Sequence, residues 1–330
     1  MRVLLTVGAA RAFGPRLLAE HPGIELLAMG PEGVLHLDDG TSVAREATGA
    51  EVAWATTDLY REDRAVVRPF FGLVRRCETL AWFQSAAAGF DAPIFAELIK
   101  KGVLFTKSDV HTIPIAEYVL RAALDHCQRA TAWSAAQAER RWETHEFSEV
   151  FGSTWVVVGL GPIGAAVATR ARALGAHVIG VRRSVAAGGP VDELVTPAEL
   201  PAVLPRADVV ALCAPANRST EHLVDEGFLA AMQPGALLVN IGRGSVVDEQ
   251  ALVAALDAGE LGAAALDVFE TEPLPKDSPL WAHPKVTVTP HDSANSARRV
   301  LRQFELFSEN LARYARGEPL RNVVTEADLG

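Results

Sequence analysis

Three polar residues that could carry out acid–base chemistry each follow a short apolar run in the last third of the chain. The runs span 236–241, 262–269 and 286–289, and the residues that follow them are Arg243, Glu272 and His291. If the runs are neighbouring parallel strands, the three side chains emerge at one edge of a sheet, where open α/β sheets bind ligands. A cation, a carboxylate and an imidazole at such an edge predict a catalytic relay.

Short apolar runs alternate with amphipathic segments on both sides of a long helical stretch. Strands are predicted at 3–7, 24–28, 52–56, 80–84 and 103–106, and later at 155–160, 177–181, 209–213, 236–241, 263–268 and 286–289. Helices are predicted between them, together with one long helix over 114–143 and a terminal helix over 296–316. Regular strand–helix alternation predicts parallel sheets with right-handed crossovers. A helix as long as 114–143 is typical of one that spans two domains or packs against a second subunit.

The composition is that of a globular protein with two domains. The chain has 330 residues, of which 49% are hydrophobic and 22% charged, too apolar for a disordered chain. Its formal net charge of −10 gives no electrostatic basis for binding nucleic acid or an anionic membrane. No apolar run approaches the ~20 residues of a membrane span, and the first residues read as a strand rather than a secretory signal.

Cysteine is scarce and the sequence predicts no metal site. The three cysteines, Cys77, Cys127 and Cys213, have no short spacing. This pattern excludes a disulfide framework and a cysteine-based zinc site, and it fits a reducing compartment. We therefore expect a cytoplasmic protein.

A glycine-rich turn between a strand and a helix predicts a dinucleotide site. The predicted cofactor-binding residues here are Gly159, Leu160, Gly161, Pro162, Ile163 and Gly164. The G-x-G-x-x-G string is weak by itself, but a strand precedes it, a helix follows, and another strand begins at His177. Gly161 then lets the backbone approach a pyrophosphate at the helix N-terminus. The alternative is a glycine-rich turn without a ligand.

The end of the next strand favours NADP over NAD. An Asp or Glu there would bond the 2′-hydroxyl of NAD, but this chain has Arg182, Arg183 and Ser184. Guanidinium groups make charge-assisted, often bidentate bonds to phosphate, which suits the 2′-phosphate of NADP. The alternative is a solvated pair of arginines. NADPH is the preferred cofactor, with NAD left open.

Four segments, in order, resemble the D-isomer-specific 2-hydroxyacid dehydrogenases. They span 84–91, 237–249, 265–273 and 289–291. In that family an Arg, a Glu and a His form the active site, and these match Arg243, Glu272 and His291. Arg243 would hold the carboxylate of a 2-keto acid and polarise its carbonyl. His291 would exchange the proton, while Glu272 favours the charged imidazole and orients it.

The resemblance implies further contacts to substrate and cofactor. Backbone N–H groups of the loop with Ala87, Ala88 and Gly89 would hold the substrate carboxylate, beside Arg243. Asp267 would meet the nicotinamide carboxamide. The remaining cofactor contacts implied are Pro215, Ile241 and Gly242.

The family's architecture implies two doubly wound parallel-sheet α/β domains with the active site in the cleft between them. Residues 1–103 with 293–330 would form a flavodoxin-like substrate domain, and 104–292 a Rossmann cofactor domain. A homodimer through the cofactor domain is also implied. Trp142 would then either cover the neighbouring subunit's pocket or lie in the interface core.

The resemblance predicts an NADP(H)-dependent reductase of a small 2-keto acid, of the glyoxylate or hydroxypyruvate type. A phosphoglycerate dehydrogenase is less expected, because the chain ends soon after its last helix. A nucleotide-sensing protein, like the family's corepressors, is the alternative, because those relatives keep the same three residues. Two positions depart from the family pattern. Asp292 follows the histidine where many relatives have a small or apolar residue, and Asn217 stands where threonine is common.

Overall fold

The chain divides into two units. A computed structural model describes residues 1–44, 48–60, 64–90, 92–184 and 188–329. One unit comprises residues 1–110 with 297–330, and the other residues 111–296. The boundaries predicted from the sequence, 103/104 and 292/293, lie a few residues earlier. Leu104–Thr106 belongs to the first unit because it pairs with Trp82–Ser85, whereas Ser293 stays with the second because its N–H bonds Asp267.

The first unit is built on an eight-stranded sheet. Its strands are β1 (Arg2–Thr6), β2 (Glu25–Met29), β3 (Leu35–Leu37), β4 (Ser42–Val43), β5 (Val52–Ala55), β6 (Trp82–Ser85), β7 (Leu104–Thr106) and β15 (Val323–Val324), in the order β15-β7-β6-β5-β1-β2-β3-β4. The parallel core β2-β1-β5-β6-β7 has the flavodoxin-like order. Three short strands, β3, β4 and β15, are antiparallel additions that the sequence analysis did not predict.

Helices cover this sheet. They are α1 (Val7–Glu20), α2 (Arg64–Arg76), α3 (Pro93–Lys100) and α10 (Arg299–Ala315). Helix α10 packs by its aromatic residues: the Phe307 ring stacks on Trp54 at 4.2 Å and on Trp82 at 5.4 Å between centroids. All three side chains are buried. This stack fixes the last helix on the sheet of the first unit.

The second unit is a parallel sheet of Rossmann type. Its strands are β8 (Thr154–Val158), β9 (His177–Val181), β10 (Glu193–Val195), β11 (Val209–Leu212), β12 (Leu237–Asn240), β13 (Ala263–Leu266) and β14 (Val286–Val288), in the order β10-β9-β8-β11-β12-β13-β14. The order reverses between β8 and β11, the switch point at which such sheets bind ligands. The two parallel-sheet α/β domains of the predicted fold class are thereby confirmed.

The prediction of one long helix over 114–143 is wrong, because the structure has two helices in this part of the chain. The helices of the second unit are α4 (Thr112–Cys127), α5 (Ala130–Ala138), α6 (Pro162–Ala173), α7 (Leu200–Val203), α8 (Glu226–Ala231) and α9 (Glu249–Ala258). Arg129 interrupts the run with a left-handed backbone, φ 54°, which no helix can continue. Across the described ranges, no helix has the length and apolarity to cross a membrane.

Candidate functional site

Arg243 lies just beyond β12, in a turn that Asn240 holds. The buried Asn240 amide donates from Nδ2 to the Arg243 carbonyl at 3.0 Å and accepts the Gly242 N–H at 3.1 Å. The Arg243 guanidinium donates to the Gly242 carbonyl at 2.8 Å. The backbone of this turn is therefore held by Asn240 and also by the arginine side chain.

Glu272 and His291 form a hydrogen-bonded pair. The loops after β13 and β14, adjacent parallel strands, carry them. His291 Nδ1 lies 2.8 Å from Glu272 Oε2, and the other carboxylate oxygen accepts the Phe269 N–H at 3.1 Å. The side chains are 52% and 37% exposed, so both remain accessible. Because Nδ1 faces the carboxylate, Nε2 is the nitrogen left for a substrate proton.

Hydrogen bonds to Asp267 hold the backbone around His291. Asp267 lies at the end of β13 and is only 1% exposed. The Asp267 carbonyl accepts the His291 N–H at 2.8 Å. Its Oδ1 accepts the N–H of Asp292 at 2.8 Å and the hydroxyl of Thr289 at 2.6 Å, while Ser293 N–H reaches both oxygens. These bonds hold His291 in a left-handed conformation, φ 51°.

The Arg243 turn packs directly against the loop that carries Glu272. A Cβ on Gly244 would overlap the Phe269–Glu270 peptide. Glu249 and Glu270 reinforce the contact, because each carboxylate accepts the other's N–H, at 2.8 and 3.1 Å. Burial raises the pKa of Glu249, and the hydrogen bond from the Glu270 N–H offsets part of that rise. The sequence analysis missed this pair, since the two residues lie 21 positions apart and read as surface carboxylates.

The glycine-rich turn has the geometry that a pyrophosphate needs. Gly159 has a left-handed φ of 95°, and Gly161 is the N-cap of α6 without a side-chain cap. A Cβ at Gly161 would have no neighbour within 4 Å, whereas one at Gly164 would overlap the Gly159 carbonyl. With Pro162 at the first helical position, the N–H groups of the first turn are left for a ligand.

Arg182, Arg183 and Ser184 follow β9, the strand next to this turn. The Arg182 N–H donates to the Val195 carbonyl at 3.1 Å, and its guanidinium donates to the Gly188 carbonyl at 2.9 Å. Arg183 and Ser184 are exposed. Two cations and a hydroxyl therefore stand at the end of the strand where a Rossmann fold reads the adenosine ribose.

The loop after β11 explains the unusual Asn217. Its Oδ1 accepts the N–H and the hydroxyl of Ser219, at 2.9 and 2.6 Å, and its N–H donates to Thr220 Oγ1 at 2.9 Å. Thr220 in turn donates to the Pro215 carbonyl at 2.8 Å. Asn217 thus shapes the turn beside Pro215. Burial raises the pKa of the nearby Cys213 thiol to about 12, so that thiol stays neutral.

In the first unit, the loop after β6 presents two backbone donors. The Ala87 N–H donates to Ser85 Oγ at 3.1 Å, and its carbonyl accepts the Ser108 N–H at 2.9 Å. Ala88 and Gly89 make no hydrogen bond to any residue in the described ranges. Both are partly exposed. Asp91, the last residue of the segment that resembles the family's substrate loop, lies outside the described residues.

No cluster of three or more His, Cys, Asp or Glu suited to a metal ion occurs among the residues that the structure describes. Within the second unit, the candidate site comprises the Arg243 cation, the Glu272–His291 pair and the backbone donors of the glycine-rich turn.

Known proteins are similar to this chain in sequence and in fold. Residues 120–293, just over half of the chain, match the model of the D-isomer specific 2-hydroxyacid dehydrogenase NAD binding domain. The chain is 31% identical over 305 residues to a D-3-phosphoglycerate dehydrogenase from Methanocaldococcus jannaschii, with 90% of this chain and 57% of the relative covered. It is 34% identical over 250 residues to a glyoxylate reductase from Korarchaeum cryptofilum, with 73% and 74% covered.

A solved structure extends the similarity to the full length. The NADPH-dependent glyoxylate/hydroxypyruvate reductase from Sinorhizobium meliloti, in complex with NADP and sulfate, is 26% identical, with a TM-score of 0.76. The match covers 100% of this chain and 99% of that one. The chain belongs to the D-isomer specific 2-hydroxyacid dehydrogenase family. It spans little more than half the length of the Methanocaldococcus relative.

Proposed function

We propose that the protein is an enzyme that transfers a hydride between NADP(H) and a small 2-keto or 2-hydroxy acid, of the glyoxylate or hydroxypyruvate type. The observation that carries the proposal is the 2.8 Å bond between His291 and Glu272. Glu272 and His291 follow β13 and β14, and Arg243 follows the neighbouring strand β12, so all three residues lie at the carboxyl edge of the sheet. An imidazole held by a carboxylate is an acid–base group, and a neighbouring guanidinium binds a carboxylate.

To reduce a keto acid, the protein has to bind the substrate, stabilise the charge that develops on its carbonyl oxygen and donate a proton. The Arg243 guanidinium binds the substrate and stabilises the negative charge that develops on the carbonyl oxygen. His291 donates its Nε2 proton to that oxygen, and Glu272 stabilises the imidazolium that must exist beforehand. In the first unit, the N–H groups of Ala88 and Gly89 are proposed to bind the carboxylate. The bound nicotinamide supplies the hydride.

The glycine-rich turn is proposed to bind the pyrophosphate, with the loop residues Leu160, Pro162 and Ile163 around it. Alanine substitutions at two of its glycines should affect different properties: protein stability at Gly164 and cofactor affinity at Gly161. Gly164→Ala should lower the free energy of unfolding by about 1–3 kcal/mol, because the methyl group overlaps the Gly159 carbonyl. Gly161→Ala should leave stability within about 0.5 kcal/mol, because the methyl group meets nothing in the protein. Thermal unfolding measures both.

Cofactor affinity gives the second readout of this pair. The Gly161→Ala methyl group occupies the space of an approaching pyrophosphate, so we expect the Kd for NADPH to rise at least about tenfold. Fluorescence titration of NADPH measures this change. A Gly161→Ala variant that binds NADPH as tightly as wild type would place the pyrophosphate elsewhere.

NADP preference is proposed from Arg182, Arg183 and Ser184. The Sinorhizobium structure, which contains NADP, supports this choice of cofactor. Arg182→Asp should reverse it, since a carboxylate repels the 2′-phosphate and bonds the 2′-hydroxyl of NAD. We expect kcat/KM for NADPH to fall about 10- to 100-fold and that for NADH to rise or hold. Steady-state kinetics with both cofactors measure the ratio, and an unchanged ratio excludes Arg182 as the determinant. Arg206→Asp, an exposed arginine paired with Glu193, is the control.

The substrate is to be found by following NADPH and NADH absorbance with a panel of 2-keto acids. The panel must include glyoxylate, hydroxypyruvate and 3-phosphohydroxypyruvate, because the chain's relatives bear names of both substrate classes. Turnover of a small keto acid supports the proposal. Tight cofactor binding without turnover of any member would instead support the alternative, a nucleotide-sensing protein on the same scaffold.

We further propose a homodimer through the second unit. Four large aromatic side chains between residues 133 and 151 of that unit are exposed: Trp133, Trp142, Phe147 and Phe151. Trp142 is fully exposed, which is unusual for a tryptophan outside an interface. This exposure supports placing the predicted subunit contact around Trp142.

A further inference from the structure

A partly buried hydrogen-bonded chain runs from helix α4 to the turn of His291. Asp267 accepts the Thr289 hydroxyl at 2.6 Å, and Thr289 Oγ1 lies 2.9 Å from the Tyr118 hydroxyl. Asp267 and Tyr118 are 1% and 9% exposed. The two residues lie 171 positions apart and meet only in the fold.

The direction of the chain follows from proton counting. A threonine hydroxyl has one proton, and the charged, closer acceptor is Asp267. Thr289 therefore accepts at its other lone pair, and the Tyr118 hydroxyl is the donor. Burial raises the pKa of Tyr118, which keeps the phenol protonated and able to donate. The Arg121 guanidinium lies over the Tyr118 ring, 5.3 Å from its centroid.

The far end of the chain is the catalytic turn. Asp267 receives the amides of Asp292 and Ser293 on its carboxylate and that of His291 on its carbonyl. Because Pro290 has no N–H, these three amides are all the backbone donors of residues 290–293. The left-handed His291 has to be held by such bonds, because its backbone conformation is unfavourable for a non-glycine residue.

We propose that Tyr118 is a positioning residue for His291, acting through Thr289 and Asp267. The inference rests on the acid–base role proposed above for His291. The phenol orients the threonine hydroxyl, the hydroxyl fixes one carboxylate oxygen, and the carboxylate fixes the turn. Helix α4 thereby sets where Nε2 stands relative to the reacting carbonyl, although no α4 side chain is proposed to touch the substrate.

Two substitutions and their combination test the chain. Tyr118→Phe removes only a hydroxyl and should lower kcat about 3- to 10-fold. Thr289→Val breaks the bond to Asp267 and should lower kcat about 10- to 100-fold, while Thr289→Ser restores activity. In the double variant, Tyr118→Phe should add nothing to Thr289→Val, because the chain is already broken.

Hydrogen–deuterium exchange gives a readout that needs no activity. In Tyr118→Phe, the amides of His291, Asp292 and Ser293 should exchange about 3- to 10-fold faster. Tyr314→Phe is the control, because Tyr314 donates to Glu51 in the first unit, and it should change neither exchange nor kcat. Unchanged exchange in Tyr118→Phe overturns the inference, and so does faster exchange with unchanged kcat. If wild type turns over no keto acid, the proposed function fails, while the exchange comparison still decides whether Tyr118 holds the turn.

Discussion

Replacing Arg243 by lysine is expected to lower kcat/KM for the keto acid about 10²- to 10³-fold. Lysine keeps the charge but loses the planar pair of donors that matches a carboxylate or a developing oxyanion. The turn should survive, because the two bonds that Asn240 makes to its backbone do not involve the arginine side chain. The measurement is steady-state kinetics beside thermal unfolding, with Tm within a few degrees of wild type.

Chemical rescue sharpens the Arg243 result. In Arg243→Ala, added guanidinium should recover part of the lost kcat, while added ammonium should recover far less, since only guanidinium restores the fork of donors. Arg218→Lys is the matched control, because Arg218 is an exposed arginine of the same unit. An Arg243→Lys variant with wild-type kcat and KM would remove this residue from the active site.

The fold was largely predictable where apolar periodicity is strong, and not where local backbone geometry decides. The buried strands of the parallel sheets stood out because they are continuous apolar runs. The break between α4 and α5 did not, because Arg129 adopts a left-handed backbone without a glycine or proline to mark it. The antiparallel strands β3, β4 and β15 are two or three residues long, too short for a pattern.

The residues of the candidate site likewise divide into those that could be predicted from the sequence and those that could not. Residues such as Arg243 could be placed from sequence because topology brings the ends of parallel strands to one edge. Tyr118 could not, since its spacing on α4 is that of a core residue and its partner Thr289 lies in a distant segment. Hydrogen bonds between side chains far apart in sequence leave no periodic signal, so the network behind the histidine required the structure.

Replacing His291 by asparagine is expected to lower kcat about 10²- to 10⁴-fold, the range for loss of a general acid–base. Asparagine is the informative substitution because, among non-glycine residues, it best tolerates the left-handed φ of 51° at this position. The turn and the bonds to Asp267 should persist, so the Kd for NADPH should not change. Stopped-flow single turnovers measure the rate, and fluorescence titration measures the Kd for NADPH. A higher Kd would mean that asparagine disturbs more than proton transfer.

Glu272→Gln tests why the imidazole needs its carboxylate. The amide can still accept the Phe269 N–H, so the loop is kept, but the carboxylate oxygen that faces His291 Nδ1 is replaced by an amide group. The imidazole is then held less firmly in the orientation from which Nε2 donates its proton, and kcat should drop about 10- to 100-fold. Because Glu272 acts through His291, combining Glu272→Gln with His291→Asn should cost little more than His291→Asn alone. Multiplicative losses in the double variant would instead assign Glu272 a contact of its own with the substrate.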